Sequence, residues 1–207
     1  MTWSAVLDIV FPPQCAGCNA LGSGLCRVCA PLSGTAIRLG LPHVDVRAYG
    51  RYEGVVRSAI LALKDGRRDV ADALGERIAP LVASQALLVP VPTTARRIRV
   101  RGMDGVALLA CRAAEIAGAT VVAAMRQRAG DAQRGRTREE RLAARGRFVC
   151  DASLIARRRV VLIDDVCTTG ATLADCRQAV VDSGGFVAGA VVAAATKSGA
   201  SWMSLPD

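Results

Sequence analysis

Two adjacent acidic residues followed by a hydroxyl-rich turn form the group in this sequence that is best suited to chemistry. Asp164 and Asp165 follow the apolar run 160–163, and the turn 166–172 contains three threonines and Gly170. In open α/β sheets, ligands bind beyond the carboxyl ends of strands, which is where these residues are expected. Backbone N–H groups at the start of the next helix, together with threonine hydroxyls, suit a phosphate group.

The two carboxylates need a different ligand group, because they repel a phosphate. The vicinal hydroxyls of a sugar donate hydrogen bonds to carboxylates. A phosphate on one side and a diol on the other describe a ribose 5-phosphate, so the residues alone predict a ribose-phosphate site. The alternatives are an unrelated strand–turn–helix and a Rossmann variant. The sequence contains neither G-x-G-x-x-G nor G-x-x-x-x-G-K-[ST], and a paired acid at a strand end is uncommon by chance, which disfavours both alternatives.

The segment IDDVCTTGATL resembles the phosphoribosyl pyrophosphate motif of type I phosphoribosyltransferases. The resemblance implies that Asp164 and Asp165 are the catalytic acids and bind the ribose hydroxyls. It also implies magnesium, which bridges the pyrophosphate and ribose oxygens. The residues that the resemblance places around the 5-phosphate are Cys167, Thr168, Thr169, Gly170, Ala171 and Thr172.

Two basic segments are further candidates for phosphate binding. VPVPTTARRIRVRG, residues 89–102, carries Arg96, Arg97, Arg99 and Arg101, whose guanidinium groups fit phosphate oxygens. We expect this segment to be a loop that follows a strand, and a solvated loop without ligands is the alternative.

Both this segment and LKDGRRDV resemble stretches of the ComF family of phosphoribosyltransferase-like proteins. That family has VPVP before an arginine-rich loop ending in RGFNQ, and a Lys-x-x-Gly-Arg stretch upstream. The resemblance implies that Lys64, Arg97 and Arg101 bind the pyrophosphate. At 103–105 this chain has Met-Asp-Gly in place of the aromatic-amide-amide part of that motif.

The polar segment QRGRTREERLAARGRF resembles the Gln-x-Gly-Leu-Ser-x-x-Glu-Arg stretch of the same family. The resemblance implies a flexible loop that closes over the active site and excludes water, with Gln133, Thr137 and Arg141 among its residues. A surface helix with Arg/Glu pairs is the alternative.

Four cysteines lie in two Cys-x-x-Cys pairs, Cys15/Cys18 and Cys26/Cys29, with seven residues between the pairs. Four thiolates at this spacing form a closed tetrahedral site, which predicts a structural zinc ion, and an iron–sulfur cluster is the alternative. The segments FPPQCAGC and LCRVCA resemble the N-terminal zinc ribbon of the ComF family. The single histidine, His43, nearly excludes a histidine base or a multi-histidine metal site.

The elements that must position these residues alternate between helix and strand. Apolar spacing predicts helices over 55–64, 69–84, 104–117 and 172–183, and strands over 87–91, 120–125, 159–164 and 186–195. This alternation predicts an α/β fold, with a type I phosphoribosyltransferase-like parallel sheet flanked by helices and a small N-terminal zinc-ribbon module. The expected domains are a cysteine module over 1–44, a phosphoribosyltransferase-like domain over 45–200 and a C-terminal tail over 201–207.

The composition is typical of a globular protein and limits the classes of ligand that the protein is expected to bind. The 207 residues are 52% hydrophobic and 22% charged, and the net charge of +9 suits phosphorylated metabolites or nucleic acid. No apolar run is long enough to span a bilayer, and the N-terminal segment is a poor signal peptide, so we expect a cytoplasmic protein. The scarcity of aromatic residues, two Trp, two Tyr and three Phe, disfavours base stacking.

The resemblance implies a magnesium-dependent phosphoribosyltransferase that acts on phosphoribosyl pyrophosphate and an acceptor, for which a nitrogen base is one candidate. The alternatives are a sensor without turnover and a non-catalytic accessory of DNA uptake (competence) that binds single-stranded DNA. Whether the protein forms a homo-oligomer stays open.

Overall fold

The computed structural model describes residues 12–31, 36–41, 44–128, 146–196 and 202–204. Most of the strands belong to one seven-stranded sheet with the order β4-β3-β7-β8-β2-β1-β9, and β5 and β6 form a separate hairpin. The strands are β1 (Ile37–Gly40), β2 (Asp45–Arg51), β3 (Leu87–Pro90), β4 (Thr120–Val121), β5 (Met125–Gln127), β6 (Phe148–Cys150), β7 (Arg159–Cys167), β8 (Phe186–Ala195) and β9 (Trp202–Ser204). The helices are α1 (Gly54–Lys64), α2 (Arg68–Ile78), α3 (Ala95–Arg101), α4 (Gly105–Ala117), α5 (Ala152–Ile155) and α6 (Ala171–Asp182).

The five strands from β4 to β2 in the sheet are parallel, and β7 is central among them. Its first half is the apolar run expected of a strand covered on both faces. Leu162 pairs with Val89 of β3 on one side and with Ala190 of β8 on the other. The strands β1 and β9 extend the sheet in antiparallel fashion.

Helices cover both faces of the sheet and bury two separate cores. The helices α1, α2 and α4 pack on the face that carries Leu88, Ile163 and Val191. Helix α6 packs with the β5–β6 hairpin on the opposite face, which carries Val89 and Leu162. The predicted class, a mostly parallel α/β sheet flanked by helices with a small N-terminal cysteine cluster, is therefore confirmed. Among the described helices, none combines the length and the hydropathy that crossing a membrane requires.

The predicted helices are present, with one shorter than expected. Helix α2 ends at Ile78 instead of continuing to residue 84, and a 3-10 turn over Ala79–Leu81 follows it. Pro80 explains the difference, because it lacks an N–H donor and its ring clashes with the preceding helical turn. Helix α4 begins as predicted, since the Asp104 carboxylate accepts a hydrogen bond from the N–H of Ala107 at 3.2 Å.

Two predictions about local structure were wrong. The arginine-rich segment is not a loop, because Ala95–Arg101 form helix α3, which Thr94 caps and Gly102 ends. The strand predicted over 120–125 is divided into β4 in the main sheet and β5 in the hairpin. The predicted loop residues Gln133, Thr137 and Arg141 lie outside the described part of the chain.

The cysteine segment packs directly on the rest of the protein. Cys15, Leu25 and Ala30 belong to the same core as the residues that line α1 and α2. A Cβ atom at Gly24 would lie 2.5 Å from the backbone of Asp69, so this close contact with the start of α2 requires glycine. The domain boundary at residue 44 stays a prediction.

Candidate functional site

The candidate site lies where the chain changes direction across the sheet. After β3 the chain crosses to β4 on one side, and after β7 it crosses to β8 on the other. The two strands are neighbours, so the carboxyl ends of β3 and β7 form a switch point of the kind at which open α/β sheets bind ligands. The acidic pair lies near the carboxyl end of β7, which extends to Cys167, and the arginine-rich segment follows β3. The topology therefore brings both predicted segments to one edge.

The acidic pair forms the centre of this edge. Asp164 is 9% exposed, and its Oδ1 accepts a hydrogen bond from the N–H of Asp165 at 2.8 Å. Because side chains alternate along a strand, the two carboxyl groups point to opposite faces of the sheet. Asp165 points toward the side of α1, where Lys64 Nζ lies 3.7 Å from its Oδ2. Burial, and then the charge of Asp165, raise the pKa of Asp164 well above its ordinary value.

The turn after the acids leads into α6 as predicted. Gly170 has a φ of 78°, which favours glycine, and a side chain there would collide with Leu41. The Thr169 hydroxyl accepts a hydrogen bond from the N–H of Ala171 at 3.4 Å, and both Thr168 and Thr169 are exposed. Exposed hydroxyls and the N-terminus of α6 thus face the solvent together, which is an arrangement suited to an anion.

Cys167 differs from the other residues predicted to surround the phosphate. Its thiol is buried in the core that α6 covers, and burial raises its pKa to about 11. Its carbonyl accepts a hydrogen bond from Thr196 at 3.0 Å. The side chain is therefore buried beneath the turn, where a hydrogen bond from the backbone of Gly170 partly offsets the effect of burial.

Among the basic residues predicted for the site, Lys64 lies beside the acids and Arg101 adjoins the turn that follows Lys64. Gly66 in that turn has a φ of 91°, and a Cβ atom there would lie 2.5 Å from the Arg101 carbonyl oxygen. The turn between α1 and α2 therefore rests on the end of α3. In the described part of the chain, the exposed Arg97 side chain contacts neither acid.

The residues at 103–105 have structural contacts of their own. Met103 is buried in the core, and the Asp104 carboxylate caps α4 while it accepts a hydrogen bond from Thr93 at 3.0 Å. Gly105 leaves no room for a side chain, because a Cβ atom there would lie 2.8 Å from Leu63. These contacts explain the residues at positions 103–105, and no ligand is needed to explain them.

Sequence reasoning missed the β5–β6 hairpin, which contacts both segments of the site. Gln127 donates a hydrogen bond to the Pro92 carbonyl oxygen at 3.1 Å, just before α3. On the other side, Arg147 Nε donates to Asp175 Oδ2 at 2.7 Å, and its Nη2 lies 3.4 Å from Thr172 Oγ1. Arg147 belongs to the segment 133–148 that was expected to close over the site, but no motif or spacing indicated its contact with Thr172, which lies 25 positions further along the chain.

The four N-terminal cysteines form a second candidate site. Their Sγ atoms all lie within 4.8 Å of one another, and those of Cys18 and Cys26 are 3.7 Å apart. Burial opposes ionisation of Cys15, but hydrogen bonds from the backbone of Cys26, Cys18 and Gly17 outweigh it and lower the pKa of this thiol to about 6. A thiolate is the form that binds metals, so the cluster can hold a metal ion.

Comparisons with known proteins add little to this geometry. No protein-family model and no curated protein matches the sequence. One solved structure that resembles the chain is described as that of the allosteric regulatory enzyme of purine biosynthesis. The likeness has a TM-score of 0.44 at 15% sequence identity and covers 65% of this chain but 30% of that one. Neither fold nor function follows from a likeness at this level, and the fold class rests on the strand order and the helix layers.

Proposed function

We propose that this protein binds phosphoribosyl pyrophosphate at the edge formed by β3 and β7, and transfers its 5-phosphoribosyl group to an acceptor. The observation that carries the proposal is the acidic pair near the end of β7, two residues before the exposed threonine turn that opens α6. Asp164 and Asp165 bind the ribose hydroxyls, and the turn 168–172 binds the 5-phosphate.

The basic residues fit the remaining part of this ligand. Lys64 lies beside Asp165, and the turn after it adjoins Arg101. We infer that the two cations neutralise a pyrophosphate attached to C1 of a ribose bound at this edge. Arg97 at the start of α3 is available to the same group.

The acidic pair also fits magnesium. Magnesium prefers carboxylate oxygens and substrate phosphates as ligands, and the two adjacent acids supply the former. Burial and the charge of Asp165 raise the pKa of Asp164 despite the nearby Lys64, so a bound cation would stabilise the charged form of the pair. When bound with the ligand, the ion would neutralise the pyrophosphate as it leaves.

The reaction requires little covalent participation by the protein. A nucleophilic atom of the acceptor, for which a nitrogen base is the candidate class, bonds to C1 of the ribose. The bond from C1 to the pyrophosphate oxygen breaks, the pyrophosphate leaves with the electron pair, and the acceptor gives up a proton. The side chains contribute mainly by holding the ribose and both phosphate groups in place.

Pyrophosphate release tests this function directly. Purified protein is incubated with phosphoribosyl pyrophosphate, magnesium and a panel of bases, and we expect release with at least one base. Asp165→Asn should weaken binding of phosphoribosyl pyrophosphate by about 10- to 100-fold, because a charged hydrogen bond contributes roughly 1.5–3 kcal/mol. Asp182→Asn is the matched control, since Asp182 is exposed at the far end of α6. Binding without release would favour a sensor, and absence of binding would refute the proposal.

One observation favours the alternative of a DNA-binding accessory. Helix α3 buries no side chain, and Arg96, Arg97 and Arg99 are exposed on it without an ion pair among the described residues. Such a helix can contact the phosphates of single-stranded DNA. Salt-sensitive DNA binding that survives Asp165→Asn but is lost when these three arginines are changed to glutamine would support this alternative.

We also propose that the four cysteines hold a structural zinc ion. Tetrahedral ligands at a Zn–S distance of about 2.3 Å have sulfur atoms roughly 3.8 Å apart. The separation of 3.7 Å between the Cys18 and Cys26 sulfurs fits this value. Four thiolates leave no open position, so the ion would contribute to stability rather than to catalysis.

A further inference from the structure

The turn proposed to bind the 5-phosphate contains no basic residue. Residues 166–172 carry only hydroxyl, thiol and apolar side chains, and two acids precede them. The α6 dipole supplies a partial positive charge of about half a unit, which is less than a phosphate dianion requires. A basic side chain from another element would complete such a site.

Arg147 lies at the place where this charge is needed. Its Nη2 is 3.4 Å from Thr172 Oγ1, on the first turn of α6. Its Nε is held by Asp175 at 2.7 Å, one helical turn further along the same face. The guanidinium carbon also lies 5.6 Å from the centre of the Phe148 ring. The side chain is 60% exposed, so a ligand at the turn can reach it.

We propose that Arg147 binds the 5-phosphate and thereby selects phosphorylated over unphosphorylated ligands. This inference rests on the proposed function, because it assigns a residue to the same ribose-phosphate site. Asp175 positions the guanidinium beside Thr172, and its carboxylate competes with the phosphate for the same cation. Arg147 is therefore a binding residue, and its ion pair with Asp175 limits its affinity for phosphate.

The test measures binding of two partial ligands by calorimetry: ribose 5-phosphate, and magnesium pyrophosphate, which lacks the 5-phosphate. Arg147→Gln should weaken the binding of ribose 5-phosphate by about 10- to 100-fold, which is the usual effect of losing a charged hydrogen bond. Binding of magnesium pyrophosphate should change by less than about twofold, because it involves the other end of the site. Arg112→Gln is the matched control, since it removes the same charge from ion pairs with Glu76 and Glu115, on the opposite face of the sheet.

A double variant separates direct contact from a general effect of charge. Asp175→Asn should tighten ribose 5-phosphate binding, because it frees Arg147 and removes a nearby negative charge. The variant with both Arg147→Gln and Asp175→Asn has the net charge of the wild type. We expect it to bind at least tenfold more weakly than Asp175→Asn alone, and weaker than the wild type.

Two outcomes would overturn the role of Arg147. These are unchanged ribose 5-phosphate binding by Arg147→Gln, and wild-type binding by the double variant. If the wild type binds phosphoribosyl pyrophosphate in either case, the proposed function stands while this inference fails. If the wild type binds neither phosphoribosyl pyrophosphate nor ribose 5-phosphate, both fail. Should Arg147→Gln fold poorly, Arg147→Lys keeps the charge but loses the planar fork, and we expect it to bind with intermediate affinity.

Discussion

Asp164 illustrates how a single residue of the site acts against the stability of the fold. Its carboxyl group is buried next to another acid, and both conditions disfavour the charged form. The folded protein therefore binds a proton at Asp164 more tightly than the unfolded chain does. The contribution of Asp164 to the free energy of unfolding is greatest below the ordinary aspartate pKa of 3.8. That contribution is lost as the pH rises through the raised pKa of the folded state.

We predict that Asp164→Asn makes the unliganded protein more stable at neutral pH. Asparagine keeps an oxygen that can accept the hydrogen bond from Asp165, but it carries no charge to desolvate. Thermal unfolding at several pH values measures the effect, and each gain of about 1 kcal/mol raises the Tm by roughly 2–4 °C in a domain of this size. The difference from the wild type should shrink as the pH approaches 4. A variant less stable than the wild type at pH 7 would contradict the burial argument.

At the scale of elements, the turn between α1 and α2 contacts the site residues of β7 and those of the segment that follows β3. It holds Lys64 beside Asp165, and Gly66 allows its backbone to rest on the end of α3. The Arg67 side chain, in contrast, donates hydrogen bonds to the Gln14 carbonyl oxygen and to Asp69. Arg67 therefore connects this turn to the cysteine segment and does not face the acids.

We predict that Gly66→Ala weakens ligand binding as well as stability. Alanine at a φ of 91° is strained by about 1–2 kcal/mol, and its Cβ would press against the Arg101 carbonyl oxygen and displace Lys64. Gly118→Ala is the matched control, because its φ of 67° brings the same kind of strain while the closest atom to a Cβ, on Ser84, is 3.7 Å away. Chemical unfolding should show a loss of stability in both variants. Titration with phosphoribosyl pyrophosphate should show weaker binding for Gly66→Ala alone, and equal affinities in the two would refute the positioning role.

The elements also show where sequence reasoning was sufficient and where it failed. Apolar spacing located β7, β8, α4 and α6 closely, because burial on a sheet or helix face leaves a periodic pattern. Helix α3 was missed because it buries nothing and has no such pattern, although Thr94 and Gly102 carry the ordinary signals for its two ends. The acidic pair and the threonine turn are contiguous in the chain and were recognised together. The contact of Arg147 with Thr172 depends on tertiary packing, and no local pattern could reveal it.

At the scale of the whole molecule, the cysteine segment and the sheet behave as one packed unit. Arg77 of α2 is 3% exposed, and its guanidinium donates to the carbonyl oxygens of Leu25 at 2.6 Å and Ala30 at 3.1 Å. Tyr49 of β2 donates its hydroxyl to the Pro31 carbonyl oxygen at 2.9 Å. These hydrogen bonds fix the position of the cysteine segment against α2 and the sheet. Loss of the segment would leave the buried guanidinium without two of its acceptors, which is costly.

We therefore predict that removing the metal from the cysteine cluster destabilises the entire protein in a single transition. A metal ion that binds only the folded state adds about 4 kcal/mol to the free energy of unfolding when its concentration is roughly a thousandfold above its Kd. A chelator should therefore lower the Tm by roughly 8–16 °C. Calorimetry with and without chelator measures the shift, and hydrogen exchange should show reduced protection in β7 and β8 as well as near the cysteines. Cys18→Ser should reproduce the effect, whereas Cys111→Ser, at an exposed thiol on α4, should not. Two separate transitions, with the sheet melting at an unchanged temperature, would instead show that the cysteine segment folds on its own.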